Sequence, residues 1–203
     1  MPATQAERSD ASRRTLVQTT IELLAREGYR AASIVRIQEA SGLSRGLVGY
    51  HFGSKLKLME AVVTEMRRVF VEETEGEDDA RALTGAQRIV GFFDSYFTRL
   101  ARNPDPARAM LVLAVESVAN APELRPRVRE AYAGVREGLA DRLRAGVADG
   151  SVRPNLDPDA HAAVLEGMLR GIVLEHFVDP DGFDLGAAHR AAVASLEHDL
   201  TVR

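Results

Sequence analysis

Residues Ser33–Lys55, with the sequence SIVRIQEASGLSRGLVGYHFGSK, form the stretch that decides the fold. They predict a short helix over residues 34–41, a tight turn over residues 42–44 and a second short helix over residues 45–52. Gly42 stands where the chain must leave helical geometry, and glycine adopts the left-handed conformation needed there at low cost. Two short helices joined in this way are typical of a helix-turn-helix.

The side chains of these two helices divide into an inner set and an outer set. Ile37, Leu43 and Val48 are apolar at positions where two steeply crossing helices share a core. Ser44 is expected to cap the second helix with its hydroxyl group. The outward side chains are small, basic, apolar or able to hydrogen-bond, and they are Ser44, Arg45, Gly46, Leu47, Tyr50 and His51. This surface suits a DNA major groove, so we interpret the stretch as a DNA reader.

The net charge of the chain is −4, but the charge is unevenly distributed. Residues 1–70 contain eleven Arg and Lys against seven Asp and Glu, a balance of +4. Residues 71–203 contain fifteen against twenty-three, a balance of −8. The positive excess lies in the same part of the chain as the candidate reader, as binding to phosphates requires. Chance scatter of surface charge would produce the same balance, so charge alone leaves the partner open.

Composition argues against several other classes of protein. Apolar residues make up 45% of the chain and charged residues 28%, which is ordinary for a soluble globular protein. The absence of cysteine removes disulfides and thiolate metal sites. No apolar run has the length of a membrane span, and the start MPATQAERSDASRR lacks the apolar core of a signal peptide. We therefore expect a cytoplasmic protein that needs no membrane, metal or cofactor.

The segments on either side of the helix-turn-helix are also predicted to be helical. An apolar stripe predicts a first helix over residues 11–27, ended by Gly28, whereas the polar residues 1–10 are expected to fray. A fourth helix is expected to begin after Ser54, which is a good cap, and to extend beyond the needs of a three-helix domain. The acidic segment 72–84 is the expected boundary.

Prolines predict the remaining helices, because proline is excluded from helix interiors. The helices expected between the prolines span residues 85–102, 106–120, 124–149, 157–178 and 183–201. No alternating strand pattern of useful length is present. The sequence therefore predicts an all-α fold of about nine helices, with an amino-terminal helix-turn-helix domain and a larger carboxy-terminal helical bundle.

The last two helices are apolar beyond a single stripe. The eighth is apolar around most of its circumference, as a helix buried on two sides is, and the ninth is rich in small residues. One side is expected to face the subunit's own core and the other a second copy, although a central helix of a monomer is the alternative. The residues expected at a dimer interface are Leu165, Leu169, Ile172, His176, Ala188, Ala192 and Ser195.

Residues 33–60 resemble the TetR family of one-component transcriptional repressors. The matching elements are an isoleucine, a glycine-apolar-serine turn, a glycine in the second helix, an aromatic-His-Phe group and a Ser-Lys pair. They fall on Ile37, Gly42-Leu43-Ser44, Gly46, Tyr50-His51-Phe52 and Ser54-Lys55. The resemblance covers about the first 70 residues, and the stretch LEGMLRGIVLEHFVDP at 165–180 is similar to BetI-like members.

The resemblance implies a homodimer that binds a pseudo-palindromic operator of double-stranded DNA. The residues carried over by position to contacts with bases or phosphates are Ser33, Arg36, Ser44, Arg45, Gly46, Leu47, Tyr50, His51 and Lys55. Phe52 is expected to anchor the core of the small domain instead. Gln38 and Ser41 stand where alanine is usual, and Gly49 stands where an aromatic residue is usual. Gly49 removes an expected phosphate contact and lowers helix propensity by about 1 kcal/mol.

The resemblance also implies a small, largely apolar organic effector inside the carboxy-terminal bundle. Four aromatic residues within residues 92–97 indicate one wall of its pocket, although core packing is the alternative for each residue. The predicted pocket residues are Phe92, Phe93, Tyr96, Met110, Leu113, Glu116, Tyr132 and Met168.

These interpretations divide the chain into three segments. Residues 1–53 are expected to form the DNA-binding domain with helices 1 to 3, residues 54–75 the linking fourth helix, and residues 76–203 the effector-binding and dimerisation domain. An enzyme is disfavoured because the five histidines lie in no recognised catalytic or metal-binding motif. The remaining alternative is a helical adaptor or dimerisation protein without specific DNA binding, which Gly49 and Gln38 would favour.

Overall fold

A computed structural model describes residues 4–44, 46–78 and 83–200, with the side chains of these residues other than 71–78. Within these ranges the chain forms nine α-helices, one short 3-10 helix and no strand, which confirms the predicted all-α class. The helices are α1 (Gln5–Ala31), α2 (Ile34–Ser41), α3 (Leu47–Phe52), α4 (Lys55–Asp78), α5 (Gly85–Arg102), α6 (Asp105–Ala119), α7 (Arg125–Asp149), α8 (Pro158–Val178) and α9 (Leu185–Leu200). No helix in the described part of the chain is long and apolar enough to span a membrane.

Contacts between residues divide the chain into two compact units. The first unit comprises Met1–Val69 and Asp105–Ala131, and the second comprises Phe70–Pro104 and Tyr132–Arg203. This grouping differs from the expected domains, because α6 and the start of α7 belong with the amino-terminal helices. The reason lies in α6, which packs along α1 and contributes the fully buried Leu113 to the core of the first unit.

Helix α1 begins earlier than the sequence analysis predicts. Thr4 and Glu7 form a capping box, in which Glu7 N–H donates to Thr4 Oγ1 over 3.2 Å and Thr4 N–H donates to Glu7 Oε2 over 2.6 Å. Residues 5–10 are therefore helical, and the expectation that they fray was wrong. Gly28 has a φ of 81° and interrupts the helical geometry at the predicted position, although the helix continues to Ala31.

The helix-turn-helix forms from α2, a turn and α3 in the first unit. Gly42 ends α2 with a φ of 67°, and Ile37 and Val48 are fully buried, as predicted. Helix α3 begins at Leu47, two residues later than expected, with Gly46 at the capping position and no side-chain cap. The predicted cap by Ser44 was therefore wrong, because Ser44 precedes the capping position by two residues.

The observed limits of the other helices agree closely with those predicted from prolines and from the cap at Ser54. Ser54 Oγ accepts from Lys57 N–H over 3.2 Å and caps α4, as expected. Helices α5 to α9 end within about two residues of their predicted limits. Helix α4 extends to Asp78, so part of the acidic segment 72–84 is helical.

Helix α5 starts directly against the end of α7 in the second unit. Gly85 N–H donates to Asp149 Oδ2 over 2.8 Å, and Ala86 N–H donates to Ser151 Oγ over 3.1 Å. These hydrogen bonds satisfy amide groups that the first turn of a helix leaves without internal partners. The pKa of Asp149 is lowered mainly by a hydrogen bond from the Ser151 hydroxyl, and next by the hydrogen bond from Gly85 N–H.

Candidate DNA-binding surface and effector site

Helix α3 and the turn before it present the most exposed part of the predicted DNA-binding set. The Tyr50 side chain is 76% exposed, Ser44 and Gly46 are exposed, and Leu47 is partly buried. Arg45, which the sequence analysis assigns to the same surface, lies outside the described residues. The Tyr50 phenol, the Ser44 hydroxyl and the backbone of Gly46 are groups of the kind that contact phosphates and base edges.

Two predicted phosphate contacts at the start of α2 already have partners within the protein. Ser33 Oγ accepts from Arg36 N–H over 3.2 Å and so caps α2. The Arg36 guanidinium donates hydrogen bonds to both carboxylate oxygens of Glu27, from Nη2 to Oε1 over 2.8 Å and from Nε to Oε2 over 3.2 Å. This hydrogen bonding lowers the pKa of Glu27 and raises that of Arg36. Because the pair is exposed to water, a phosphate can compete with Glu27 for the guanidinium.

Lys55 is turned towards the protein, which differs from its predicted role as a phosphate contact. Its Nζ donates to the Tyr29 carbonyl oxygen over 2.8 Å and lies 4.1 Å from the centroid of the Tyr29 ring. Burial lowers the pKa of Lys55, against the opposing influence of Glu116. The ammonium group therefore fastens the start of α4 to the last turn of α1, and a phosphate contact would require it to leave Tyr29.

His51 and Phe52 lie at the edge of the core of the first unit. His51 is partly buried, and its Nε2 is shielded from solvent without a hydrogen-bond partner in the described part of the chain. Its ring packs edge-on against Tyr50, with the centroids 5.0 Å apart. Phe52 is only partly buried, and Arg13 Cζ lies 5.4 Å from the centroid of its ring. Phe52 therefore lies at the border of the core and not within it, which differs from its predicted role as the core anchor.

Gly49 is open to substitution. It is exposed on α3, has no positive φ, and a Cβ added there would meet no atom within 4 Å. Nothing in the packing of the described residues therefore requires glycine at this position.

We expect Gly49→Ala to stabilise α3 by about 0.5–1 kcal/mol, because alanine loses less backbone entropy in a helix. A preformed recognition helix should also bind DNA more tightly, by a factor of up to about five. Urea unfolding, hydrogen exchange of the α3 amides and DNA titration would measure these effects.

Gly42→Ala is the matched control for this substitution. Its surroundings are equally open, but its φ is 67°, so it should destabilise the protein by about 1 kcal/mol. Equal effects from the two alanines would contradict the backbone argument.

The predicted pocket residues divide between the two units. Met110, Leu113 and Glu116 belong to the first unit, where Leu113 is core and Glu116 accepts a 3.0 Å hydrogen bond from Asn120 Nδ2. Five predicted residues belong to the second unit, namely Phe92, Phe93, Tyr96, Tyr132 and Met168. Phe92 and Phe93 are buried there, whereas the other three are partly buried.

An aromatic group in the second unit is built around Phe70. The centroid of its ring lies 5.6 Å from that of Phe92 and 5.9 Å from that of Tyr96, both edge-on. Burial raises the pKa of Tyr96 to about 12, so its hydroxyl stays protonated at neutral pH. The sequence analysis missed Phe70, because it lies on the preceding helix and only the fold brings it to α5.

A buried carboxylate between two arginines lies beside this aromatic group. Glu166 is 5% exposed, and its Oε2 accepts from Arg136 Nη1 over 2.8 Å while its Oε1 accepts from Arg170. The Arg170 guanidinium also lies 3.1 Å from the centroid of the Tyr132 ring. The spacing of four residues between Glu166 and Arg170 on one helix could have indicated their pair, whereas no sequence signal points to Arg136.

The exposed apolar face of α8 and α9 differs from the predicted dimer interface. Leu165, Leu169 and Ala192 are 5%, 2% and 4% exposed, so these predicted interface residues lie in the subunit's own core. Ile172, His176 and Ala188 are partly buried, and of the predicted set only Ser195 is exposed. The exposed stripe of α8 instead consists of Val164, Gly167, Gly171, Leu174 and Val178.

His189 of the second unit pairs with a carboxylate and packs on an aromatic ring. His189 Nε2 lies 2.7 Å from Asp94 Oδ1, and its ring packs on Phe97 with the centroids 4.9 Å apart. Among residues 4–44, 46–78 and 83–200, no three His, Asp or Glu side chains are grouped so that they could hold a metal ion.

Family models match both parts of the chain. Residues 16–62 match the bacterial regulatory proteins of the tetR family, and residues 85–201 match the carboxy-terminal domain of BetI-type transcriptional repressors. Among curated proteins, the transcriptional regulator BetI of Vibrio campbellii is 27% identical over 191 residues, which cover 92% of this chain and 90% of that protein.

Two solved structures with bound ligands have a similar fold. A putative transcriptional regulator from Saccharomonospora viridis in complex with choline has a TM-score of 0.84 and 23% identity, covering 96% of this chain and 100% of that one. The regulator FadR of Bacillus subtilis in complex with stearoyl-CoA has a TM-score of 0.80 and 21% identity, covering 90% and 96%. The chain thus belongs to the TetR family of bacterial transcriptional regulators, with an amino-terminal DNA-binding helix-turn-helix and a carboxy-terminal domain of the BetI repressor type.

Proposed function

We propose that this protein is a repressor that binds a pseudo-palindromic DNA operator as a homodimer and releases it when a small organic effector binds. The observation that carries this proposal is the exposed turn and helix α3 in a chain whose residues 85–201 match the BetI-type carboxy-terminal domain. Residues 1–53 then serve as the DNA-binding domain, residues 54–75 as the link, and residues 76–203 as the effector-binding and dimerisation domain.

The DNA surface in this proposal is centred on α3. Leu47 and Arg45 read base edges, while Ser44, Gly46 and Tyr50 contact the nearby backbone. Ser33 and Arg36 approach a phosphate from the start of α2. The partly buried His51 supports the orientation of Tyr50, and Lys55 holds α4 in place. The high exposure of Tyr50 supports this arrangement.

The dimer surface in this proposal is the exposed stripe of α8 together with α9. Val164, Leu174 and Val178 are 66%, 46% and 71% exposed, which is unusual for large apolar side chains that recur on one helix. The stripe repeats at intervals of three and four residues, the spacing by which two helices interlock along their length. On α9, exposed alanines continue an apolar surface in which helices can approach closely.

The readers of the two subunits would then meet two half-sites separated by about 34–36 Å, one turn of DNA. An effector that binds the protein best with the readers at another separation would release the DNA. Its influence is limited by its difference in affinity between the two states, typically about 1–3 kcal/mol.

Selection of bound duplexes from a random pool would test this proposal. We expect a two-fold symmetric consensus, with affinity that falls steeply as salt increases because phosphate contacts release counterions. Tyr50→Ala should weaken binding to all sequences alike, whereas Arg45→Ala should relax the preference at one position of each half-site.

Gln18→Ala provides the control, because Gln18 lies on α1 and hydrogen-bonds only Glu22 in the described part of the chain. It should leave both affinity and consensus unchanged. Binding that is independent of salt, or a pool without any enriched sequence, would favour the adaptor alternative over a DNA reader.

A further inference from the structure

Three aromatic rings of the second unit are each covered by a guanidinium group. Arg99 Cζ lies 5.0 Å from the Phe70 ring centroid, and Arg142 Cζ lies 5.4 Å from that of Phe92. Arg170 Cζ lies closest, 3.1 Å from the centroid of Tyr132. One negative face of each of these rings is therefore already covered by a cation of the protein itself.

Glu166, a buried acidic side chain of this region, is also bound by arginines. Both oxygens of Glu166 accept hydrogen bonds from arginines, Oε2 from Arg136 and Oε1 from Arg170. Two guanidinium groups around one carboxylate leave one unit of positive charge in excess. A guanidinium carries five N–H donors, and the hydrogen bond to Glu166 uses one nitrogen of Arg170, so further donors remain for a ligand.

The arginines over the aromatic rings and around Glu166 favour a negatively charged ligand over a positively charged one. A quaternary ammonium ligand binds open aromatic faces or a carboxylate, and here arginines already cover one face of three rings and both oxygens of Glu166. An anionic head group, in contrast, matches the planar fork of a guanidinium and would neutralise the excess charge. Phe92, Phe93 and Phe97 form a run of contacting buried rings on α5, and Arg142 covers the Phe92 ring at one end of it.

We propose that the effector is an amphipathic organic anion, whose carboxylate or phosphate head binds Arg170 beside Glu166 and whose apolar chain packs on the aromatic rings of α5. This inference rests on the proposed function, because it assigns the chemical class of the effector. Tyr96 lies on the same helix, and its hydroxyl can donate a hydrogen bond to an anion.

Four probes with the same ten-carbon chain test the proposal on the full-length wild-type protein. They are decanoate, decyl phosphate, decyltrimethylammonium and decanol, used below the concentrations at which they form micelles. Calorimetric titration should show at least about tenfold tighter binding of one anion than of the cation or the alcohol. The two anions distinguish a carboxylate head from a phosphate head. Tighter binding of the cation or the alcohol, or no binding of either anion, would overturn the proposal.

Arg170→Gln should weaken binding of the preferred anion about ten- to a hundredfold, because it removes a charge-assisted hydrogen bond while Arg136 still pairs with Glu166. Arg144→Gln is the matched control, because Arg144 lies in the same unit and, among the described residues, forms only exposed pairs with Asp141 and Asp159. The wild-type comparison of probes remains decisive if Arg170→Gln fails to fold. Equal weakening in both variants would contradict a role for Arg170.

Release of the selected DNA duplex by the same probes separates this proposal from the proposed function. If the protein binds the duplex with a symmetric consensus but no anion binds, the effector class is wrong and the repressor function stands. If an anion binds Arg170 but no duplex is selected, the DNA-reader function is wrong. An anion that both binds and releases the duplex supports both proposals.

Discussion

Val164→Glu is expected to convert the protein from a dimer into a monomer and to lower its affinity for a two-fold symmetric duplex by at least about a hundredfold. Val164 is 66% exposed in the subunit, so the fold of a single chain tolerates a carboxylate there. In the proposed dimer the same position would be buried, and a buried unpaired charge is strongly unfavourable. Loss of the dimer separates the two readers, and linked binding sites typically gain about 10²–10⁴ in overall affinity.

Light scattering would measure the mass of the variant, and fluorescence anisotropy with a labelled duplex would measure its affinity. Val115→Glu is the matched control, because Val115 is 58% exposed on α6 in the other unit and should leave the dimer intact. Leu169→Glu should instead unfold the subunit, since Leu169 is 2% exposed and part of its core. A stable Val164→Glu dimer with unchanged affinity would place the interface elsewhere.

Gly85→Ala should destabilise the protein by about 3 kcal/mol or more, because the start of α5 touches the backbone of α7. A Cβ added at Gly85 would lie 2.1 Å from the Gly146 amide nitrogen and 2.6 Å from the Arg142 carbonyl oxygen. Backbone atoms cannot rotate away as a side chain does, so α5 must move. Such a movement would also stretch the hydrogen bonds from the first amides of α5 to Asp149 and Ser151.

Thermal unfolding would measure this effect, which corresponds to a fall in melting temperature of about 6–12 °C for a chain of this size. Gly91→Ala on the same helix is the control, because a Cβ there meets no atom within 4 Å. It should stabilise the protein by about 0.5–1 kcal/mol through helix propensity. A Gly85→Ala variant as stable as the wild type would show that the contact between α5 and α7 yields easily.

Local signals were sufficient to predict the helices and the family. Prolines, the glycine at residue 42 and the cap at Ser54 act within a few residues, so their effects can be read without the fold. The same local reasoning would have found the start of α1, since Thr4 and Glu7 have the spacing of a capping box. The first turn of α3 was misjudged, because Gly46 rather than Ser44 occupies its capping position.

The direction in which α8 faces could not be predicted in the same way. Its apolar residues surround most of the helix, so periodicity does not distinguish the side that packs on the subunit from the side that is exposed. Leu165 and Val164 are neighbours of similar hydrophobicity, yet the first is buried and the second exposed. Only the positions of the neighbouring helices decide between them.

By itself, the sequence determined the all-α class, the helix limits in the carboxy-terminal half and the helix-turn-helix with its family motif at Ser33–Lys55. These features depend on interactions between residues a few positions apart. The tertiary structure alone decided that Lys55 bonds Tyr29, that Arg136 and Arg170 share Glu166, and that Gly85 meets Gly146. Lys55–Tyr29, Arg136–Glu166 and Gly85–Gly146 join residues from about 26 to 61 positions apart, and packing of the helices is what brings such side chains together.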